Sequence, residues 1–245
     1  VLILLPPSET KRTGGHGAPL DLAALAFPGL TPLRETLVDE LVTLAADLPA
    51  ARAALGVKPS LDTEIAANAA LRTAPTLPAL DRYTGVLYDH LGVATMTTVQ
   101  RGRADARLVI GSALFGATRA TDPLPAYRLS ANAKLPGRGG LAARWKPLLA
   151  PALSTGELTL DLRSGAYAAL GPVAGAVTVD VVTERPDGSR SVVSHFSKAT
   201  KGVLARVLCQ SRAELDSVGA VVRAARRGGL TVEHTGPTVL TVVTG

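Results

Sequence analysis

The chain has 245 residues, 47% hydrophobic and 19% charged, with a formal net charge of +6; this length suits one large domain or two small ones, and the apolar content is ample for a buried core. A single cysteine, Cys209, excludes an internal disulfide and a cysteine pair cycling through peroxide chemistry, and the apolar-rich stretches, such as 177–182 and 239–243, are far too short to span a bilayer. The charge is uneven: residues 1–100 carry 7 basic and 10 acidic groups and residues 101–245 carry 19 and 10, so any basic partner surface belongs to the later part.

Val1 to Leu5 reads as a short buried strand stopped by Pro6-Pro7. It has neither the charged leader nor the length of a signal peptide, so a cytoplasmic protein is expected. The polar loop that follows, Ser8 to Gly15, holds Ser8 and Lys11 and can cradle an anion, but it lacks the Gly-x-x-x-x-Gly-Lys-Ser/Thr frame of nucleoside triphosphate hydrolysis. Thr31 followed by Pro32 predicts a helix start. Leu33, Leu37, Leu41, Leu44 and Leu48 then recur on one face, and Pro49 is expected to break the helix. Leu55-Gly56-Val57, set between two helical stretches, outlines a helix-hairpin-helix whose turn amides hold a DNA phosphate. An ordinary helical hairpin with a glycine C-cap fits the same residues.

Further on, 108–115 reads as a strand or a helix, and a proline-dense loop carries Arg119, Tyr127 and Arg128. Phe115 and Trp145 are assigned to packing, Trp145 on a short helix ended by Pro147 or Pro151. Leu158, Leu160 and Leu162 alternate along a strand that runs into Asp161-Leu162-Arg163-Ser164-Gly165-Ala166-Tyr167, which offers a carboxylate, a guanidinium, a hydroxyl and a phenol at a strand end. Strands over 177–183 and 191–196 flank a hairpin turn at Pro186-Asp187-Gly188. The second strand ends in a polar segment, Ser194 to Gly202, whose Lys198 and Lys201 would share a face on a following helix. His195, in that alternating strand, can be a proton carrier or a structural histidine. A capping box at 211–214 is expected to open a helix with Leu215, Val218, Val222 and Ala225 inward, and strands over 230–233 and 239–243 close the chain. The four histidines, at 16, 90, 195 and 234, have no metal-ligand spacing among themselves or with Cys209, so no metal and no cofactor is expected.

Taken together, the blocks LILLPPSETK, RYTGVLYDHL, SALFGATRATDPLPAYRL, LDLRSGAYAAL and SHFSKATKGVLAR, the last ending at Arg206, resemble the YaaA family of peroxide-stress response proteins over essentially the whole chain. The resemblance implies a mixed α/β fold with a positively charged cleft, duplex binding through a helix-hairpin-helix, and a role in limiting oxidative DNA damage. The expected architecture is α/β (mixed α+β): one domain over 1–245 with a mixed sheet, flanking helices and a helical subregion at 31–72. One functional reading is a DNA-binding stress protein using the 55–57 turn and the basic later half. Another is an enzyme on a nucleotide or other phosphate-bearing small molecule. It would hold anions with Lys11, Arg128, Arg163, Lys198 and Lys201 and move protons with Asp161, Tyr167 or His195. Ser8, Arg119, Tyr127, Ser164 and Arg206 complete the expected contact set, and a scaffold with an ordinary charged surface is the third reading.

Overall fold

The computed structural model describes residues 1–136, 139–192 and 194–245, and of these the side chains of all but 192 and 194–196. Strand β1 (Leu2–Leu5) is buried along its whole length, because it lies at the centre of the sheet. After the opening loop and β2 (Gly17–Pro19), a short 3-10 turn over Pro28–Leu30 leads directly into α1 (Thr31–Ala45). Thr31 is therefore already helical rather than the cap, and its hydroxyl turns to the Leu22 carbonyl at 3.4 Å. Leu37, Leu41 and Leu44 are buried as the spacing predicts, but the break comes before Pro49, where Asp47 caps α2 (Leu48–Leu55) by accepting from the Ala50 amide at 3.0 Å. Leu48 belongs to α2 and is exposed.

The chain continues through α3 (Asp62–Ala69), β3 (Pro75–Pro78), α4 (Ala79–Arg82), α5 (Val86–Leu91) and α6 (Thr98–Arg107). Then come β4 (Leu108–Ser112), β5 (Gly116–Arg119) and β6 (Pro123–Leu124). Next, α7 (Leu141–Leu153) runs through both Pro147 and Pro151 instead of ending at either. Its packing offsets the lost backbone bonds: Trp145, Leu149 and Leu153 are buried, and the Trp145 Nε1 donates to the Ala113 carbonyl at 2.8 Å. The remaining elements are β7 (Thr159–Asp161), α8 (Gly165–Ala168), β8 (Val177–Glu184), β9 (Arg190–Val192), α9 (Ser194–Gln210), α10 (Val218–Arg227), β10 (Thr231–Gly236) and β11 (Val239–Thr244).

Two further boundaries differ from the sequence reading. The strand expected over 191–196 ends at Val192, and the supposed polar loop from Ser194 to Gly202 is the first half of α9. The helix expected from the box at 211–214 starts only at Val218, capped by Ser217, while Leu215 is buried ahead of it. In both places a local pattern of small polar residues fitted loop and helix start alike, and packing selected one.

The main sheet has the order β10-β11-β8-β7-β1-β4-β5, with β9 paired onto β8. β1 is parallel to β4 and β7, β7 to β8, and β8 to β11, whereas β5, β9 and β10 are antiparallel to their neighbours. A small second sheet joins β2, β3 and β6. The sheet is thus mixed, with flanking helices, as the resemblance implied. One topological detail positions the site. From β1 the chain proceeds to β4 on one side, while from β7 it proceeds to β8 and β11 on the other, so the connections part at the carboxyl ends of β1 and β7. Open α/β sheets leave a crevice at such a switch point.

Much of the arginine excess is consumed internally. Arg34 is fully buried and donates to the carbonyls of Ala26, Phe115 and Ala117 at 2.7, 2.9 and 2.8 Å. Arg82, equally buried, ties Leu124 at 2.9 Å and Pro75 at 3.2 Å and also holds the Arg12 carbonyl. Arg103 donates to the last carbonyls of α9, Cys209 and Gln210, and Arg107 to Leu208 of α9 and to Ser211 just beyond it. The five-donor guanidinium suits this work, because it can satisfy several carbonyls that neighbouring elements leave unpaired.

Candidate functional site

A cleft of about 670 Å³ opens where β1 and β7 end. Its floor is the turn from Pro6 to Thr10, one side is the segment Ser164 to Tyr167, and the other sides are Tyr88 of α5, Ser197, Lys198 and Lys201 of α9, and Val179 to Val181 of β8. β8 contributes a wall because β7 stops at Asp161, opposite Thr178, while β8 runs on to Glu184. The volume falls within the range of about 300 to 1,000 Å³ common to small-molecule sites.

The turn after β7 is held by a buried ion pair. Asp161 Oδ1 accepts from the Arg163 backbone amide at 3.0 Å and from its Nε at 2.9 Å, and Oδ2 accepts from Nη2 at 2.7 Å. Nη2 also reaches the Gly171 carbonyl at 2.9 Å. With side chains 7% and 1% exposed, the two residues neutralise each other beneath the cleft rather than facing it. Asp161 is no free proton carrier here and Arg163 no free anion contact. Their effect is to fix Leu162, whose carbonyl receives the Lys201 Nζ at 3.4 Å. Burial lowers the pKa of that half-buried lysine, against the opposing pull of Asp161 and Asp180. Lys198, one turn earlier, is exposed and lines the same cleft.

The floor is held from behind. The Lys11 ammonium donates to the carbonyls of Ser8 and Glu9 at 3.0 and 3.4 Å and lies 4.1 Å from the centre of the Tyr127 ring and 5.5 Å from that of Tyr83. Tyr127 in turn joins the Tyr83 and Ser112 hydroxyls, each at 2.7 Å, in a buried chain. Enclosure lowers the Lys11 pKa to about 7, Glu9 acting in the opposite direction and Arg128 adding to the fall. In the unfolded chain this amine keeps its proton to about pH 10.5 and in the fold only to about 7. Between those values the unfolded state binds more protons, so stability should rise with pH, by at most about 1.4 kcal/mol per pH unit from this group. Urea titrations at several pH values check this: Lys11→Met should flatten the rise, and equal slopes in both proteins would refute it.

Beside Lys11, Glu9 lines the cleft. Its Oε1 accepts the Tyr167 hydroxyl at 3.3 Å, and that hydroxyl is itself met by the Ala131 backbone, while burial raises the Tyr167 pKa far above the ordinary phenol. The Glu9 Oε2 is closed off from solvent, has no hydrogen bond among the described residues, and sits 3.6 Å from the Arg128 Nη2. Arg128 is also paired to Glu64 of α3 at 2.9 Å.

Of the residues singled out in the sequence, the cleft brings together Ser8, Ser164, Tyr167, Lys198 and Lys201. Lys11, Tyr127 and Arg128 support its floor, and Asp161 and Arg163 its side. Arg119 lies elsewhere, over the Phe27 ring at 5.6 Å with a bond to the Ala106 carbonyl. Arg206 closes the end of α5 by donating to Leu91, Gly92 and the Thr95 hydroxyl. The His195 side chain lies outside the described residues. Sequence reasoning passed over Glu9, Tyr88 and Asp180. The first two stand inside blocks already singled out, whereas nothing local marks Asp180. Among the described residues no group of three His, Cys, Asp or Glu could hold a metal, and the buried Cys209 has its thiol pKa pushed up to about 12 by burial.

The 55–57 turn lies apart from this cleft. Gly56 adopts φ 63°, a left-handed conformation that favours glycine, and caps α2. The Gly56 and Val57 amides both donate to the Arg52 carbonyl, and Arg52 is clamped to Asp62 of α3. The turn therefore satisfies its own amides as an ordinary helical C-cap. Beside α1, a groove of about 680 Å³ is lined by Glu35, Asp39, Glu40 and Asp47, of which the first two pair with Arg72 and the third with Arg144.

Residues 1–234 match the family described as "Peroxide stress protein YaaA". The chain belongs to that family. It is 52% identical over 240 residues to the UPF0246 protein of Corynebacterium efficiens, covering 95% of each chain. It is 44% identical over 243 residues to the UPF0246 protein of Streptomyces coelicolor, covering 97% of this chain and 94% of that one. The match to the YaaA family includes β1, α5, β7 and the first turns of α9, which are the elements that build the cleft. Among the described residues no helix is long and apolar enough to cross a membrane.

Proposed function

We propose that the cleft binds a phosphate-bearing, nucleotide-like small molecule and that this binding is the protein's part in the peroxide stress response. The observation that carries the reading is the placement of Lys198 and Lys201, three residues apart on one face of α9, at a cleft of nucleotide size above a sheet switch point. Ser8 and Ser164 add hydroxyl donors on the facing sides. The reading needs no cofactor, and a cytoplasmic setting accords with one buried cysteine.

Duplex binding through the 55–57 turn is the weaker reading, because the two turn amides at 56 and 57 are already donated to the Arg52 carbonyl. Fluorescence anisotropy of a short duplex and calorimetry with nucleoside monophosphates, both across a salt series, separate the two. Saturable one-site nucleotide binding is expected. Gly56→Ala is expected to lower stability by roughly 1 kcal/mol through its left-handed backbone and to leave both affinities unchanged. Steeply salt-dependent duplex binding without nucleotide competition, and weakened by Gly56→Ala, would reverse the assignment.

A further inference from the structure

We infer that Glu9 is the specificity-determining group of the cleft, and that it selects a nucleotide whose base carries an exocyclic amine over the counterpart carrying an oxo group at the same position. This rests on the nucleotide reading above and adds to it the chemistry of the ligand group that meets the carboxylate.

The charged groups facing the cleft are not of one sign: Lys198 and Lys201 stand with Glu9 and Asp180. A bare polyanion would gain from the lysines and lose to the carboxylates. A ligand anionic at one end and hydrogen-bond donating at the other satisfies both. Asp180 stands with Lys201, whose charge it supports. That leaves Glu9, at the end of β1, to meet the donor.

Its geometry suits that task. Arg128 lies 3.6 Å from Oε2, on the side closed to solvent, and so anchors the carboxylate from behind. The side chain as a whole is nonetheless 43% exposed and lines the cleft beside Tyr167, the partner of Oε1, so in this reading the Oε1 edge meets the ligand. Among the described residues Oε1 is engaged only by the Tyr167 hydroxyl, at a long 3.3 Å, and has a lone pair to spare. Tyr167 cannot swing away, because its ring is buried and its oxygen is met by the Ala131 backbone. An ionised carboxylate accepts and never donates. It therefore favours an amino N–H and repels the oxygen of the oxo counterpart, as when Glu or Asp accepts from the cytosine amine in a nucleic-acid groove. Pro6, Pro7 and Tyr88 give the adjoining surface apolar area for a planar ring.

The test is calorimetry on the intact chain with two matched pairs, CMP against UMP and AMP against IMP. In whichever pair the cleft accommodates, the amino member should bind about tenfold tighter or more, within the range of about 5- to 150-fold for a good polar contact to a base edge. Glu9→Gln should bring the two members of that pair to within about threefold, since an amide can turn to serve either edge. The wild-type comparison requires no variant to fold. Equal affinities within each pair, weakened alike by loss of the lysines, would overturn the role of Glu9 and leave the nucleotide reading standing. A preference for ribose over deoxyribose without a base preference would move the contact to the sugar and overturn it as well. Absence of binding by all four nucleotides would remove both.

Discussion

Replacing Arg163 by alanine is expected to destabilise the fold by about 3 to 5 kcal/mol, the usual consequence of leaving a buried charge without its partner. Asp161 is 7% exposed, and both its oxygens are taken by the Arg163 guanidinium, so the variant leaves a carboxylate beside β1 with the backbone amide of residue 163 as its remaining donor among the described residues. The Gly171 carbonyl loses its partner too, and the space over Gly111, whose nearest side-chain neighbour is the Arg163 Cδ, is emptied. Urea denaturation should show a lower midpoint at an unchanged slope. The double variant Asp161→Leu with Arg163→Met should recover much of the loss, because a buried pair is often matched by apolar residues of similar size. A single variant within about 1 kcal/mol of the wild type would mean that the pair is far more solvated than its geometry indicates.

Removing both cleft lysines, Lys198→Ala with Lys201→Ala, should weaken nucleotide binding by about 1 to 3 kcal/mol for each charge-assisted hydrogen bond that the ligand no longer makes. Stability should change little. Lys198 is exposed, and among the described residues Lys201 makes one long bond of 3.4 Å to a carbonyl. Its removal also relieves a half-buried amine of its desolvation cost. Calorimetry at fixed salt, beside a melting curve, reads both quantities. Unchanged affinity in a folded double variant would take these lysines out of the ligand's reach. Lys198→Arg with Lys201→Arg is the informative companion. Long-range attraction would survive it, whereas a fitted ammonium contact would not.

Both outcomes bear on how far local sequence patterns reach. The pairing of Lys198 and Lys201 was visible from their spacing, although the segment that carries them looked like a strand end and a loop. Its helix begins at Ser194 because α9 packs along α5, so closely that a side chain on Gly202 would collide with the Leu87 carbonyl. Arginine outnumbers lysine in this chain, a bias that does not by itself mark phosphate recognition. Arg34, Arg82, Arg103, Arg107 and Arg206 instead satisfy carbonyls at element ends, and nothing in their neighbouring residues announces which carbonyls those are. Glu9 escaped notice for a similar reason. Its neighbours Tyr167 and Arg128 are more than a hundred positions away in the chain.

What the amino-acid sequence determined by itself is what short-range chemistry can specify. It set the buried strand Leu2–Leu5 and its proline stop, the apolar face of α1, the turn at Pro186-Asp187-Gly188, the glycine C-cap at Gly56, and the ordered blocks that mark the YaaA family. Only the tertiary structure decided that β1 and β7 lie side by side with their connections diverging, that β8 outruns β7 to form a wall, and that Asp161 and Arg163 are used beneath the cleft rather than inside it. The physical reason is separation along the chain. Periodicity and capping act over a few residues, whereas the cleft is made by residues from 6 to 201, and which side chains face it depends on strand order and on which polar groups burial leaves to be satisfied.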